Sequence, residues 1–108
     1  MKTDKRLLVI IFFLSLGQAF CQITILSGPE KGSYNRFVDD MASVLSEKNG
    51  ISLKNKTTEG SAHNFKVLTN PSSDDKMALI QSDYLTLMQA EDKLNNTNKT
   101  GSLKVLMQ

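Results

Sequence analysis

The sequence has 108 residues, with one cysteine, one histidine, two prolines and no tryptophan. Because Cys21 is alone, no disulfide can form within one chain, and because His63 is alone, a metal site built from several histidines is excluded. The Gly-Lys-Ser/Thr ending of a phosphate-binding loop is also missing, which excludes that class of nucleotide site. We therefore expect neither a metal nor a cofactor.

A concentrated charge of either sign is missing as well. Three of the 13 basic residues and one of the 11 acidic residues lie within the first 21 positions, so the remainder is balanced when His63 is neutral. Nucleic-acid binding requires a concentrated basic surface that displaces counterions. The composition thus predicts no nucleic-acid partner.

The one long apolar run lies near the N-terminus. Residues 7–16 (LLVIIFFLSL) follow three basic residues and precede a polar, mixed sequence. As a helix, this run would span roughly 15 Å, about half of a bilayer core. The layout is typical of a secretory signal peptide, which we assign to residues 1–21, rather than of a transmembrane anchor.

Cleavage after Cys21 places small residues, Ala19 and Cys21, where a signal peptidase requires them. The mature chain would then begin at Gln22 and lie in the periplasm or be secreted. A lipid anchor on Cys21 is the alternative, but Phe20 stands where lipoprotein signals normally have a small residue.

Beyond Gln22, short extended runs alternate with amphipathic helical runs. Strands are predicted at residues 23–26, 51–57, 77–80 and 103–107. Between them, apolar residues at helical spacing predict helices from Tyr34 to Leu45 and beyond, from Ser61 to Thr69, and from Tyr84 to Leu94. Asn49-Gly50 is expected to end the first helix. The order β-α-β-α-β-α-β predicts an α/β fold with a parallel sheet and helices packed on it.

Parallel sheets bind ligands beyond the carboxyl ends of their strands, at helix N-termini. The candidate loops are therefore residues 27–34, 58–64 and 81–84. In the first loop, Gly28 and Gly32 allow backbone N–H groups to approach an anion such as a carboxylate. The structural alternative is that such turns only connect elements, and that Ser61 and either Ser82 or Asp83 cap the helices that follow.

Together the three loops resemble the TAXI-type receptors of tripartite ATP-independent periplasmic (TRAP) transporters. The first motif is a strand, a glycine-containing loop and an aromatic residue at the helix start, here ITI through Gly32-Ser33-Tyr34. The second is TEGSAHN, ending at Asn64, and the third is ALIQSD, ending at Asp83. The resemblance covers residues 23–107. It departs from the family where Pro-Glu-Lys replaces glycine-rich sequence in the first loop.

The resemblance implies a type 2 periplasmic-binding-protein fold with two α/β lobes joined by a hinge, of which residues 22–108 would be an incomplete N-terminal lobe. It also implies capture of a small carboxylate-bearing solute, such as an amino acid or organic acid, for the membrane permease subunits of a TRAP-type transporter. The residues that match the family's ligand-binding positions are Ser27, Gly32, Ser33, Tyr34, Thr58, Gly60, Ser61, Asn64, Gln81, Ser82 and Asp83.

Two alternatives stay open. The chain could be a secreted, non-catalytic interaction domain that keeps the fold without binding the solute, or an enzyme on the same fold. Catalysis is the weaker of these, since Ser61 and His63 lie two apart on a predicted helix and point in different directions. No catalytic residue is assigned, and the protein is expected not to be an enzyme.

Overall fold

The computed structural model describes residues 22–107. The predicted signal peptide, the cleavage site and a lipid anchor at Cys21 lie outside the described residues, as does Gln108. Three strands alternate with three α-helices and a 3-10 helix follows: β1 (Gln22–Leu26), α1 (Ser33–Asn49), β2 (Ser52–Lys56), α2 (Ser61–Thr69), β3 (Met77–Ala78), α3 (Ser82–Asn95) and the 3-10 helix Thr100–Ser102.

The three strands form one parallel sheet in the order β2-β1-β3. Ile25 of β1 is paired with Asn55 on one side and with Met77 on the other, so β1 is the central strand. Each connection between parallel neighbours contains a helix, as parallel pairing requires. The predicted α/β class, with helices and a parallel sheet, is confirmed at this level.

The apolar core is small and is built around the central strand. Its four buried apolar side chains are Ile25 and Leu26 of β1, Val38 of α1 and Phe65 of α2. Ile25 and Leu26 are adjacent and therefore point to opposite faces of the sheet, and since both are buried, β1 is covered on both faces. The two outer strands have no buried apolar side chain among the described residues. The carboxyl end of β1 is consequently the most deeply enclosed part of the described chain.

The predicted fourth strand is wrong. Residues 103–107 form no strand after the 3-10 helix, and Val105, Leu106 and Met107 are exposed. The backbone N–H of Leu103 donates to the carbonyl of Thr100 at 3.1 Å, closing a local turn instead of joining the sheet. The apolar character of this segment was therefore not sufficient for strand pairing.

The predicted helix ends are correct at one position and wrong at others. Gly50 ends α1 in the left-handed conformation, with φ +63°, and its N–H donates to the carbonyl of Leu45. Ser61 is the first residue of α2 and does not cap it, because Gly60 holds the cap position without a side chain. Similarly, α3 begins at Ser82, and Gln81 in the cap position makes no side-chain cap hydrogen bond.

Among residues 22–107, no helix has both the length and the apolar character needed to cross a bilayer.

Candidate functional site

Three helices begin at the carboxyl edge of the sheet. Each follows a parallel strand, and their first residues are Ser33, Ser61 and Ser82. In none of the three does the preceding residue cap the helix with its side chain. Because the first N–H groups of a helix have no partner inside it, this edge presents backbone donors and the positive ends of three helix dipoles.

Asn64 of α2 joins the ends of the two neighbouring strands β1 and β3. Its Nδ2 donates to the carbonyl oxygens of Ser27 and Leu79, each at 2.8 Å. Its Oδ1 accepts a hydrogen bond of 2.6 Å from the Thr58 hydroxyl. Asn64 is completely buried and its polar side-chain atoms have protein partners. Asn64 therefore fills the space between the carboxyl ends of β1 and β3. These two strands are adjacent in the sheet but not consecutive in the chain, and open α/β sheets bind their ligands at such a point.

A second network connects the buried Ser27 and Asn35 to more exposed residues of β2 and α1. The Ser27 hydroxyl donates to Asn55 Oδ1 at 2.6 Å, and Asn35 Nδ2 donates to Ser27 Oγ at 3.2 Å and to Thr57 Oγ1 at 3.1 Å. Asn55 Nδ2 donates to Asp39 Oδ1 at 2.8 Å. Ser27, predicted to touch the ligand, thus has a hydroxyl that is already bonded within the protein.

Sequence reasoning missed Asn35 and Asn55. The sequence contained a signal for both. Asn35 lies three residues before the buried Val38, on the same face of the helix. Asn55 lies two residues after Leu53, on the same face of β2. Polar residues at positions that a pattern reserves for apolar ones usually have buried partners. Asn55 also has an exposed partner, since its amide donates to the carboxylate of Asp39.

The second loop depends on Gly60. Its φ of +119° and ψ of −160° lie in a region that is essentially restricted to glycine. The Gly60 N–H donates to Thr58 Oγ1 at 3.3 Å, and its carbonyl accepts from the Asn64 N–H at 2.9 Å. The threonine, glycine and asparagine of this motif therefore form one hydrogen-bonded unit, which explains their spacing physically.

The second and third loops are joined directly. Ser61 Oγ accepts a hydrogen bond of 2.9 Å from the backbone N–H of Gln81. Asp83 Oδ1 accepts from the N–H of the next residue, Tyr84, at 2.8 Å, within the first turn of α3. Gln81, Ser82 and Asp83 are all exposed, so their side chains face solvent at the carboxyl edge.

The first loop is a tight turn that places an aromatic ring at the edge. The Gly32 N–H donates to the carbonyl of Pro29 at 2.8 Å, and a β-carbon at position 32 would lie only 3.1 Å from that oxygen. Tyr34 is half-buried beside Gly28, where an added β-carbon would meet the Tyr34 Cβ at 3.5 Å. Ser33 is exposed at the start of the helix.

The predicted site residues therefore separate into two layers. The inner layer is buried and hydrogen-bonded within the protein, and consists of Ser27, Thr58 and Asn64. The outer layer is half-buried or exposed at the same edge, and consists of Gly32, Ser33, Tyr34, Gly60, Ser61, Gln81, Ser82 and Asp83. The inner layer shapes the loops, and only the outer layer is free to touch a ligand.

The outer layer is an open edge. Two surface depressions lie elsewhere: one of about 430 Å³ beside His63 and Lys66 on α2, and one of about 670 Å³ beside Asp92 and Asn96 at the end of α3. His63 Nδ1 accepts from the N–H of Glu59 at 3.4 Å, whereas the Ser61 hydroxyl accepts from the N–H of Gln81. Within residues 22–107, no group of three or more metal-ligating side chains could hold a metal ion.

A separate polar cluster closes the end of α3 around Asp92. Its carboxylate accepts from the hydroxyls of Thr97 and Thr100, at 2.6 and 2.7 Å, and from the N–H groups of Lys99 and Thr100, at 3.1 and 2.8 Å. These hydrogen bonds lower the pKa of Asp92 well below its ordinary value. The bond from the Thr97 hydroxyl contributes most and those from Thr100 come next, while burial has a smaller opposing effect. Because four donors already surround it, this carboxylate acts as a structural acceptor.

No protein-family model matches the sequence, and neither a curated protein nor a solved structure was found to match it. The resemblance to TAXI receptors therefore stays a prediction.

Proposed function

We propose that this protein is an extracytoplasmic solute-binding receptor of the TAXI type, which captures a small carboxylate-bearing solute, such as an amino acid or organic acid, for the permease subunits of a TRAP-type transporter. One observation carries the proposal: three helices start at the same edge of a parallel sheet, and the residue that precedes each of them makes no side-chain cap hydrogen bond. Such helix ends favour an anion, since they combine N–H groups that have no partner within the helix with a positive dipole end.

Five outer-layer residues would contact the solute in this proposal. Ser33, Ser61 and Ser82 stand at the three helix starts, where their backbone N–H groups and hydroxyls would hold the solute carboxylate. The half-buried ring of Tyr34 would pack on the body of the solute. The exposed carboxylate of Asp83 would accept from an ammonium group, which suits an amino acid.

The openness of the edge supports a two-walled site. Receptors of the proposed type enclose the solute between two lobes. The described residues supply one wall, and the two surface depressions beside His63 and beside Asp92 lie away from it. We therefore expect residues 22–108 alone to bind such a solute with a dissociation constant of about 1 mM or weaker, equivalent to about −4 kcal/mol.

The buried inner layer favours the main rival, a secreted interaction domain that keeps the fold without a solute. Ser27, Thr58 and Asn64 have their side-chain groups bonded inside the protein, and they would stabilise the loops equally well with no ligand present. The two functions differ in what the outer layer does, which makes the outer layer the place to test.

A nuclear magnetic resonance titration with a panel of amino acids and dicarboxylates tests the proposal at millimolar concentration. The backbone amides of Ser33, Ser61 and Ser82 should shift together as one solute is added. Ser33→Trp should remove these shifts by blocking the edge. Its matched control is Ser46→Trp, an exposed serine 13 positions later on the same helix, roughly 20 Å away.

Two results would contradict a receptor. One is the absence of shifts at the three helix starts with every solute of the panel, which would favour the interaction domain. The other is an equal loss of binding in both tryptophan variants, since a site at the carboxyl edge cannot be blocked from the far end of α1.

A further inference from the structure

Residues 103–107 (LKVLM) have the composition of a buried strand but pair with none. Val105, Leu106 and Met107 are 54%, 78% and 71% exposed, and Leu103 has the extended conformation, with φ −89° and ψ 141°. An exposed, largely apolar segment that begins in extended conformation can add to a sheet edge. Within the described part of the chain, no strand takes it up.

The outer edge of β3 is the matching surface. Leu26 is paired with Ala78, and its carbonyl accepts from the N–H of Leu79. By the alternation of a parallel ladder, the N–H and C=O of Ala78 therefore point away from β1. The sequence at this edge, MALI over residues 77–80, is uncharged and half-buried. It offers backbone partners and an apolar surface to a further strand.

The other free edge of the sheet is less suited to this role. β2 carries Lys54 and Lys56, both exposed, and Lys56 forms an ion pair of 2.7 Å with Asp75. Lysines on an edge strand oppose the addition of another strand, because the incoming strand would have to desolvate their charges. The sheet is therefore protected at β2 and open at β3.

The Asp92 cluster bears on which copy of the chain can supply the strand. Its four hydrogen bonds hold Thr97, Lys99 and Thr100, directly before and at the start of the 3-10 helix. With this cluster formed, residues 103–107 are not paired with the β3 of their own chain. Pairing within one chain would require a different path for this segment, whereas pairing with a second copy keeps all four bonds.

We propose that residues 103–107 of a second copy of this chain pair with the outer edge of β3, and that the exchange is reciprocal, giving a closed dimer with twofold symmetry. Each copy then donates one strand and accepts one, so no free β3 edge is left. The equal numbers of basic and acidic residues after position 21 mean that no net charge opposes association. This dimer is independent of the proposed solute site.

Sedimentation of the purified protein across the micromolar range tests the dimer. Leu106→Asp should weaken dimerisation at least about 100-fold, because a charge would be buried at both symmetry-related contacts. Leu94→Asp is the matched control: Leu94 is 85% exposed on α3, outside the proposed strand, and its variant should stay dimeric. A monomeric wild-type protein, or equal dissociation of both variants, would overturn the proposal.

Cysteine pairs distinguish exchange between copies from pairing within one. In a Cys21→Ser background, a chain with Ala78→Cys and a second chain with Val105→Cys are mixed and oxidised, and the same is done with Lys104→Cys. One of the two mixtures should form a disulfide between different chains. If neither does, or if a single chain carrying Ala78→Cys together with Val105→Cys or Lys104→Cys forms only an internal disulfide as a monomer, the strand is not exchanged.

Discussion

The first and last parts of the described chain are held together in different ways. All four buried apolar side chains and four of the buried polar residues lie between Ile25 and Phe65. From Ser82 to Met107, by contrast, Asp92 is the only buried residue, while Leu87 and Leu94 are 59% and 85% exposed. The early part has an apolar centre with polar bonds at its rim, and the late part has a polar centre with apolar residues outside.

This difference shows that an apolar spacing in the sequence does not guarantee that the apolar side chains are buried. The third helix has the apolar spacing of a helix that covers a sheet, but its start is attached mainly through the Gln81–Ser61 hydrogen bond and an edge-to-face contact of 5.9 Å between Tyr84 and Phe65. Its end is attached through the Asp92 cluster. Directional contacts fix α3 where buried area is small, and a pattern of apolar residues does not reveal them.

The largest expected effect is the difference in the free energy of unfolding when the same leucine-to-alanine truncation is made in the early part and in the late part. Leu26→Ala removes a side chain that is 1% exposed at the centre of the sheet, so the free energy of unfolding should fall by about 4 kcal/mol. Leu94→Ala, at 85% exposure, should change it by less than about 0.5 kcal/mol. Urea denaturation measures both, and similar losses would mean that α3 is buried in solution.

The next effect concerns the polar rim of the early part. Asn64→Ala leaves the Ser27 and Leu79 carbonyls and the Thr58 hydroxyl without their partner, which should cost about 3 kcal/mol in a buried place. Asn95→Ala, an exposed asparagine at the end of α3, is the control and should be nearly neutral. A neutral Asn64→Ala would show that water replaces these bonds, and that the inner layer is not closed.

The smallest effect is local to the late part and depends on pH. The lowered pKa of Asp92 means that its stabilising contribution is present above the ordinary aspartate pKa of about 3.9 and is lost as the pH falls below that value towards the lowered one. The Lys99 and Thr100 amides, which donate to this carboxylate, should report the change by nuclear magnetic resonance.

Asp92→Asn is the matching variant. It should abolish that low-pH titration and reduce the hydrogen-exchange protection of the same two amides at neutral pH, without altering the protection of Leu26 or Ile25. A loss of protection that extends to β1 would contradict the separation of the two parts, since it would make the Asp92 cluster part of the global fold.

The elements of this fold could be predicted from the sequence wherever the apolar residues follow a single helical spacing. The spacing from Tyr34 to Leu45 indicated α1, and Asn49-Gly50 indicated its end, because both signals are local. The fourth strand could not be predicted correctly, because strand formation also needs a partner edge and the turn around Asp92 directs the chain elsewhere. A residue pattern contains no information about that long-range condition.

The candidate site was predictable in its location but not in its layering. Loops after parallel strands meet at one edge, so grouping residues near Ser33, Ser61 and Ser82 needed only the order of elements. That Asn64 faces inward, between β1 and β3, depends on hydrogen bonds to Ser27 and Leu79, which are 37 and 15 residues away in the chain. Such pairings arise from the tertiary fold, so the sequence could not distinguish the inner layer from the outer one.

The contact between Tyr84 and Phe65 gives the protein a built-in optical reporter. The chain has two tyrosines and no tryptophan, so its near-ultraviolet circular dichroism beyond the phenylalanine bands arises from Tyr34 and Tyr84. Fixed asymmetric surroundings are what produce such a signal. Tyr34 lies against the first loop and Tyr84 meets Phe65 at an interplanar angle of 71°. In a Tyr34→Phe background, the remaining tyrosine signal therefore follows the docking of α3 alone.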